Sequence, residues 1–207
     1  MSDSPARRGR PGYDQQRVLE IAVAAFNEHG YDATSMGMLA ERLGLSKSAI
    51  YHHFASKDEI LGAALDAALT ALEGVLDDPD AAHGRAADRL ERVLRHAVHV
   101  LVDELPAVTL LLRVRGNTDV EREAVARRRA FDRAVTALVV EAQHEGSLRS
   151  DISPRVVERL LFGMVNSIVE WYRPEGPEDA DRLADDVIAI ALDGLRMPTS
   201  NRVDDLV

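Results

Sequence analysis

Apolar side chains recur along this chain every three to four residues, the spacing of helices that bury one face, and no stretch alternates with the period of two that marks a strand. Residues 1–13 fall outside the pattern, being polar and punctuated by Pro5, Gly9, Pro11 and Gly12, so a flexible arm is expected there. A first helix is predicted from near Asp14, with Val18, Ala22, Ala25 and Phe26 on its inner face and Gly30 as its left-handed stop. Thr34 and Ser35 are competent caps for a short second helix, in which Leu39, Ala40 and Leu43 form an apolar face ended by Gly44. Ser46 can cap a third short helix through Phe54. Ser56 and Glu59, in capping-box spacing, open a fourth whose Leu61, Leu65, Leu69 or Ala68, Leu72 and Leu76 form a stripe.

The run Asp77-Asp78-Pro79-Asp80 breaks that helix. Further helices are predicted from near Gly84 to Leu105, with Pro106 as the interruption, over 107–115, and from Val120 to Glu145 with Gly146 as the stop. Ser153 followed by Pro154 starts another, which runs to Tyr172, and residues 178–196 form the last. The expected architecture is all-α, with about nine helices. It divides into an arm (1–13), a three-helix head with a helix-turn-helix (14–60), a helical body (61–198) and a polar tail (199–207).

Aromatic residues make up only 4% of the 207 positions, which suits helices packed through aliphatic and small side chains. Cysteine is absent, so disulfides, thiolate nucleophiles and zinc-thiolate sites are excluded. Arg7, Arg8 and Arg10 are followed by no apolar segment and no run of eighteen apolar residues occurs, so neither targeting nor membrane spanning is expected and the cytoplasm is the expected location. The net charge of −10 opposes a nucleic-acid partner until its distribution is considered. Residues 1–60 carry seven Lys or Arg and eight Asp or Glu, leaving 18 against 27 in the remainder. A near-neutral head can present its cations on one face, while an acidic body limits indiscriminate DNA binding.

The second helix, the Gly44 turn and the third helix carry the sharpest chemistry. Ala40, Gly44 and Ile50 supply the small residue, the turn and the apolar plug that two steeply crossing helices need. The outward side of the third helix offers Ser46, Lys47, Ser48, Tyr51 and His52, groups that reach phosphates and base edges when a recognition helix enters a major groove. Thr34 and Lys57, at the starts of the flanking helices, would border that groove. In the arm, Arg8-Gly9-Arg10-Pro11 matches the core of segments that enter a narrow A·T minor groove, where negative potential attracts arginine.

The run Gly30-Tyr31-Asp32-Ala33-Thr34-Ser35, continued by Ala40 to Leu61, resembles the DNA-binding domain of the TetR family over about a quarter of the chain. The resemblance implies a homodimeric repressor that binds operator DNA and releases it when a small molecule occupies a divergent C-terminal pocket. It implies DNA contacts from Thr34, Lys47, Tyr51, His52 and Lys57, with Ala40, Gly44, Ile50 and Phe54 as scaffold. The segment Glu170-Trp171-Tyr172-Arg173-Pro174-Glu175-Gly176 resembles one in members that sense acyl-CoA thioesters, which implies such a thioester as inducer. The last two helices carry apolar residues on more than one face, as a four-helix bundle between two subunits requires.

Ligand contacts are expected from Arg113 and Arg115, which interrupt an apolar helix, and from His99 and Trp171. Asn166 falls nearer charged residues than the apolar stripe and is expected to be exposed. His96, His99 and Asp103 share one helical face, which raises a helical metalloenzyme as a competing class. Three ligands on one straight helix span too far to converge on one ion, so no metal, cofactor or catalytic residue is expected. A non-specific architectural DNA binder is the third class, disfavoured by the acidic body.

Overall fold

The computed structural model describes residues 15–77 and 83–193, and the arm with its Arg8 and Arg10 lies outside them. Among the described residues there are nine helices and no strand. The chain divides into two compact units, residues 1–64 and 65–207.

In the first unit, α1 (Gln15–His29), α2 (Met36–Leu43), α3 (Lys47–His53) and the start of α4 (Lys57–Asp77) enclose a core of Val18, Ala22, Phe26, Leu39, Leu43, Ile50, Phe54 and Ile60. The capping residues act as the sequence indicates. Ser35 accepts the Met38 N–H, Ser46 the Ala49 N–H and Ser56 the Glu59 N–H, while the Glu59 carboxylate returns to accept the Ala55 N–H. Gly44 closes α2 at φ 64°, where a β-carbon would be strained, and Leu45 N–H reaches back to the Ala40 carbonyl at 2.9 Å.

In the second unit, α5 (Ala86–Asp103) packs against α6 (Leu105–Arg113), α7 (Asp119–His144), α8 (Pro154–Trp171) and α9 (Ala180–Asp193). Leu90, Val93, Leu94, Ala97, Val98 and Leu101 lie buried on one broad face of α5, and Arg92 and Arg95 stay on the other side. Each buried leucine of that face contributes about 1.5–3 kcal/mol through removal from water. Pro106 corrects one expectation. It sits in the first turn of α6, where its missing N–H has no helical partner to lose, so it starts a helix and does not merely interrupt one. The helix consequently ends at Arg113, and Arg115 falls in the following turn.

That turn is held by Glu121. The side chain is buried, and one carboxylate oxygen accepts the backbone N–H groups of Arg115, Gly116 and Asn117 at 3.0, 2.8 and 3.0 Å. Burial opposes the charge, but these three donors outweigh it and hold the carboxyl below its usual value of 4.5. A carboxyl lowered in the fold contributes stability above its unfolded value, and that contribution is lost as pH falls through the lower folded one. Thermal melts between neutral pH and pH 3 should therefore show a steeper acid loss for the parent than for Glu121→Gln, which should be less stable than the parent at neutral pH.

Candidate DNA-reading face and ligand cavity

α3 is one turn of scaffold and one of presentation. Ile50 is fully buried, whereas Ser46, Lys47, Ser48, Tyr51 and His52 are exposed, Tyr51 at 49%. Helical spacing puts Lys47, Ser48, Tyr51 and His52 on adjoining outward rows. Lys47 runs along the first turn of α2, which is possible because position 37 is glycine. A β-carbon there would lie 3.1 Å from Lys47 Cε and 3.3 Å from Nζ. Lys47, Ser48, Tyr51 and His52 thus share one surface, while the Ser46 hydroxyl is turned to the helix start, where it accepts the Ala49 N–H.

Thr34, expected to border the groove with an exposed side chain, is buried and does not belong to that surface. Its side chain is 1% exposed, and its hydroxyl donates to the Gly30 carbonyl at 2.8 Å, with the Ala25 carbonyl at 3.4 Å. The residue closes the end of α1. Thr34→Val, which keeps the volume but removes the donor, is expected to cost about 1–3 kcal/mol in a denaturant titration while the folded protein binds DNA as the parent does. Lys57 is partly committed in the same way. Its ammonium donates to the carbonyls of Tyr31 and Thr34 at 2.8 and 2.9 Å and lies 4.1 Å above the Tyr31 ring. Two of its three donors are used on the turn, leaving one for a phosphate. Tyr31, which sequence reasoning passed over, completes this arrangement through hydrogen bonding to Asp58.

A cavity in the second unit is enclosed by α4 to α8. Its walls are apolar: Ala68 and Leu72, Ala97, Val100 and Leu101, Val108, Leu111 and Leu112, Phe131, Phe162 and Val165. Phe131 and Phe162 meet edge to face with ring centres 5.4 Å apart. Polar groups enter only from α7 and α8, as Arg128, Asp132 and Asn166. The volume of about 50 Å³ exceeds the roughly 10–15 Å³ one water needs, so the cavity accepts a slim apolar group and must widen for a larger one. A larger cleft of about 350 Å³ beside Arg85, Asp88, Glu91 and Ser147 lacks such apolar walls.

The polar end is electrostatically unusual. Arg128 donates to the Leu111 carbonyl at 3.0 Å and forms no ion pair with Asp132, one turn along the same helix. Burial raises the Asp132 carboxyl above its usual 3.8, against the attraction of Arg128, Arg133, Arg159 and Arg129. Burial likewise raises Glu158, 6% exposed, and the neighbouring Asp132 charge adds to the effect.

None of the four residues predicted to touch ligand lines this cavity. Arg113 and Arg115 are exposed, because α6 turns its leucines and valine inward and its last turn out. Trp171 is exposed at the end of α8. His99 points to Asp181 on α9, at 3.3 Å. Asn166, expected outside, lines the cavity instead, one turn after Phe162 and next to Val165. The signals available in the sequence were that adjacency and the Arg128-Phe131-Asp132 spacing, polar groups flanking a large apolar one. His96 and His99 do not gather ligands: His96 Nε2 lies 2.7 Å from the Ala71 carbonyl, on a different neighbour from the one His99 meets. Among the described residues no three His, Asp or Glu side chains are grouped to hold a metal ion, and no helix is long and apolar enough to cross a membrane.

The model described as "Bacterial regulatory proteins, tetR family" matches residues 18–64, and "Tetracyclin repressor-like, C-terminal domain" matches residues 83–195, more than half of the chain. The chain belongs to the TetR family. TetR-family members are DNA-binding transcriptional regulators that act as dimers with a ligand-binding C-terminal domain. SCO3833 of Streptomyces coelicolor is 51% identical, covers 87% of this chain and 91% of its own, and superposes with a TM-score of 0.82. The transcriptional repressor KstR2 of Mycobacterium tuberculosis is 28% identical over 186 residues, 86% of this chain and 90% of the relative. AibR, solved with isovaleryl coenzyme A and operator DNA, shares the fold at a TM-score of 0.72 and 22% identity, over 86% of this chain and 97% of its own.

Proposed function

We propose that this TetR-family repressor reads its operator with the exposed side of α3 and lets go when an acyl thioester enters the cavity between α4 and α8. The observation that carries the reading is the partition of α3, with Ile50 in the core and Lys47, Ser48, Tyr51 and His52 facing out together. Arg8 and Arg10 add minor-groove contacts, Ser46 and the remaining Lys57 donor add phosphate contacts, and the reading head spans residues 14–60.

Two subunits associate through α8 and α9, residues of the 61–198 body. Leu160, 65% exposed, shares a face of α8 with Val156, Gly163, Ser167 and Trp171, and Ile190 on α9 is 70% exposed. Apolar side chains this open in one patch are what a subunit interface covers. Half-sites about 34–36 Å apart then require both heads at one spacing, so a ligand that prefers another spacing weakens both sets of contacts at once. α4 carries the signal, since it starts in the first unit and continues into the second. The apolar walls suit the acyl group, and AibR, solved in complex with isovaleryl coenzyme A and operator DNA, is a precedent for an acyl-CoA ligand in this fold. The protein works by binding, without catalysis, in the cytoplasm on the nucleoid.

A mobility-shift titration against the DNA upstream of its own gene tests this function. A salt-sensitive, sequence-selective complex that an acyl thioester dissociates supports it; binding random DNA equally well overturns it.

A further inference from the structure

Two sets of arginines in the second unit contrast. Arg89, Arg95, Arg127 and Arg149 each meet a carboxylate at 2.6–2.9 Å. Arg129 and Arg133 on α7 and Arg155 and Arg159 on α8 are exposed, and none of them lies within ion-pair distance of a carboxylate among the described residues. Other arginines of this unit also lack an ion pair, Arg128 among them, but these four are distinguished by where they gather. They are close together. Arg129, Arg133 and Arg159 all act on Asp132, and Arg155 and Arg159 both act on Glu158.

Their position is specific. On α8, Arg155, Arg159 and Asn166 follow one another at helical spacing along one edge, and Asn166 lines the cavity. On α7, Arg129 and Arg133 bracket Asp132, which lines it too. The patch therefore begins where the polar end of the cavity stops. An acyl group in the apolar walls would bring whatever it is attached to out between Asn166 and Asp132, onto guanidinium groups that bind phosphate through paired N–H donors.

We infer that Arg129, Arg133, Arg155 and Arg159 form a phosphate-binding platform for the coenzyme A part of an acyl-CoA ligand whose acyl end occupies the cavity. The platform deepens the ligand reading above and rests on it. It makes the phosphates, as well as the acyl chain, a determinant of which thioester is recognised.

Isothermal titration of the full-length dimer with hexanoyl-coenzyme A and with hexanoyl-pantetheine, the same thioester without phosphates, tests this. The parent should bind the phosphorylated ligand at least roughly tenfold more tightly, with an affinity that falls as salt rises from about 50 to about 500 mM. Arg129→Gln/Arg133→Gln and Arg155→Gln/Arg159→Gln should each weaken hexanoyl-coenzyme A binding by roughly tenfold and leave hexanoyl-pantetheine unchanged. The side chains are exposed, so helix content should persist; if one double variant unfolds, the other and the salt series of the parent still decide. Equal affinity for the two thioesters, binding of neither, or insensitivity to both double variants overturns the platform. A double variant that sediments as a monomer overturns it too, by assigning the arginines to a subunit contact. Operator binding, followed separately by mobility shift, keeps a failure of the repressor reading distinct from a failure of the platform.

Discussion

Replacing Lys47 and Tyr51 together by alanine is expected to weaken operator binding by roughly 100-fold or more, with helix content, dimerisation and melting temperature close to the parent's. Both side chains are exposed, so truncating them uncovers no core and breaks no internal hydrogen bond. Each supplies a polar contact of about 1–3 kcal/mol if it reaches a base edge, and less if it reaches only phosphate. The two cases separate by salt and sequence. Loss of a base contact relaxes selectivity at one operator position, whereas loss of a phosphate contact weakens all sequences alike and flattens the salt dependence. Because a two-fold operator is read by both subunits, each substitution acts twice. Titrations of parent and variant on operator and random duplexes at two salt concentrations check this, with circular dichroism as the control. Unchanged operator affinity would remove α3 from the DNA interface.

Arg127→Ala is expected to leave ligand affinity nearly unchanged while raising by roughly tenfold the ligand concentration that releases the operator, a loss within the usual range of allosteric coupling. Arg127 projects from α7 across two turns of α4. Its guanidinium donates to both oxygens of Glu73 at 3.1 and 2.6 Å, to Asp66 at 2.6 Å and to Thr70 at 3.2 Å. These partners are spaced i, i+4 and i+7, so one residue grips a full stripe of the helix. The next residue, Arg128, lines the cavity, as do Phe131 and Asp132 a turn later and Ala68 and Leu72 of α4. A ligand that shifts α7 therefore shifts α4 through a planar fork with fixed geometry. The pairs are partly exposed, so the stability cost of the substitution is about 1–2 kcal/mol after solvent screening. Arg127→Lys keeps the charge but not the fork, and it should restore stability better than release. Ligand titrations with and without operator, alongside denaturant melts, separate the two effects; a variant that releases normally would show that α4 moves without this clamp.

The helices were readable because their ends are written in local chemistry. Ser35, Ser46 and Ser56 cap, Gly44 and Gly146 stop with positive φ, and each rule involves neighbours within one turn. The exposed side of α3 was legible for the same reason, since Ile50 and the four side chains around it sort by a single helical period. Thr34 shows the limit. A threonine at a helix start reads as a cap or an exposed donor, but this hydroxyl turns back to Gly30, a choice set by the burial of its methyl group. Pro106 reads as a break from sequence because the apolar pattern continues on both sides of it, yet it lies in the first turn of α6. The cavity was hidden altogether. Its walls come from five helices, and periodicity says which face of each is apolar but not which faces meet, so Arg113 and Trp171 read as ligand contacts and Asn166 as exposed.

The most direct measurement of the central claim is dimethyl sulfate protection on the operator, because the reagent attacks guanine N7 in the major groove and adenine N3 in the minor groove. Parent protein should protect guanine N7 at two half-sites about 10 base pairs apart, and the Lys47, Tyr51 double variant should not. Guanine N7 left fully reactive beneath a saturating, sequence-selective complex would contradict the account.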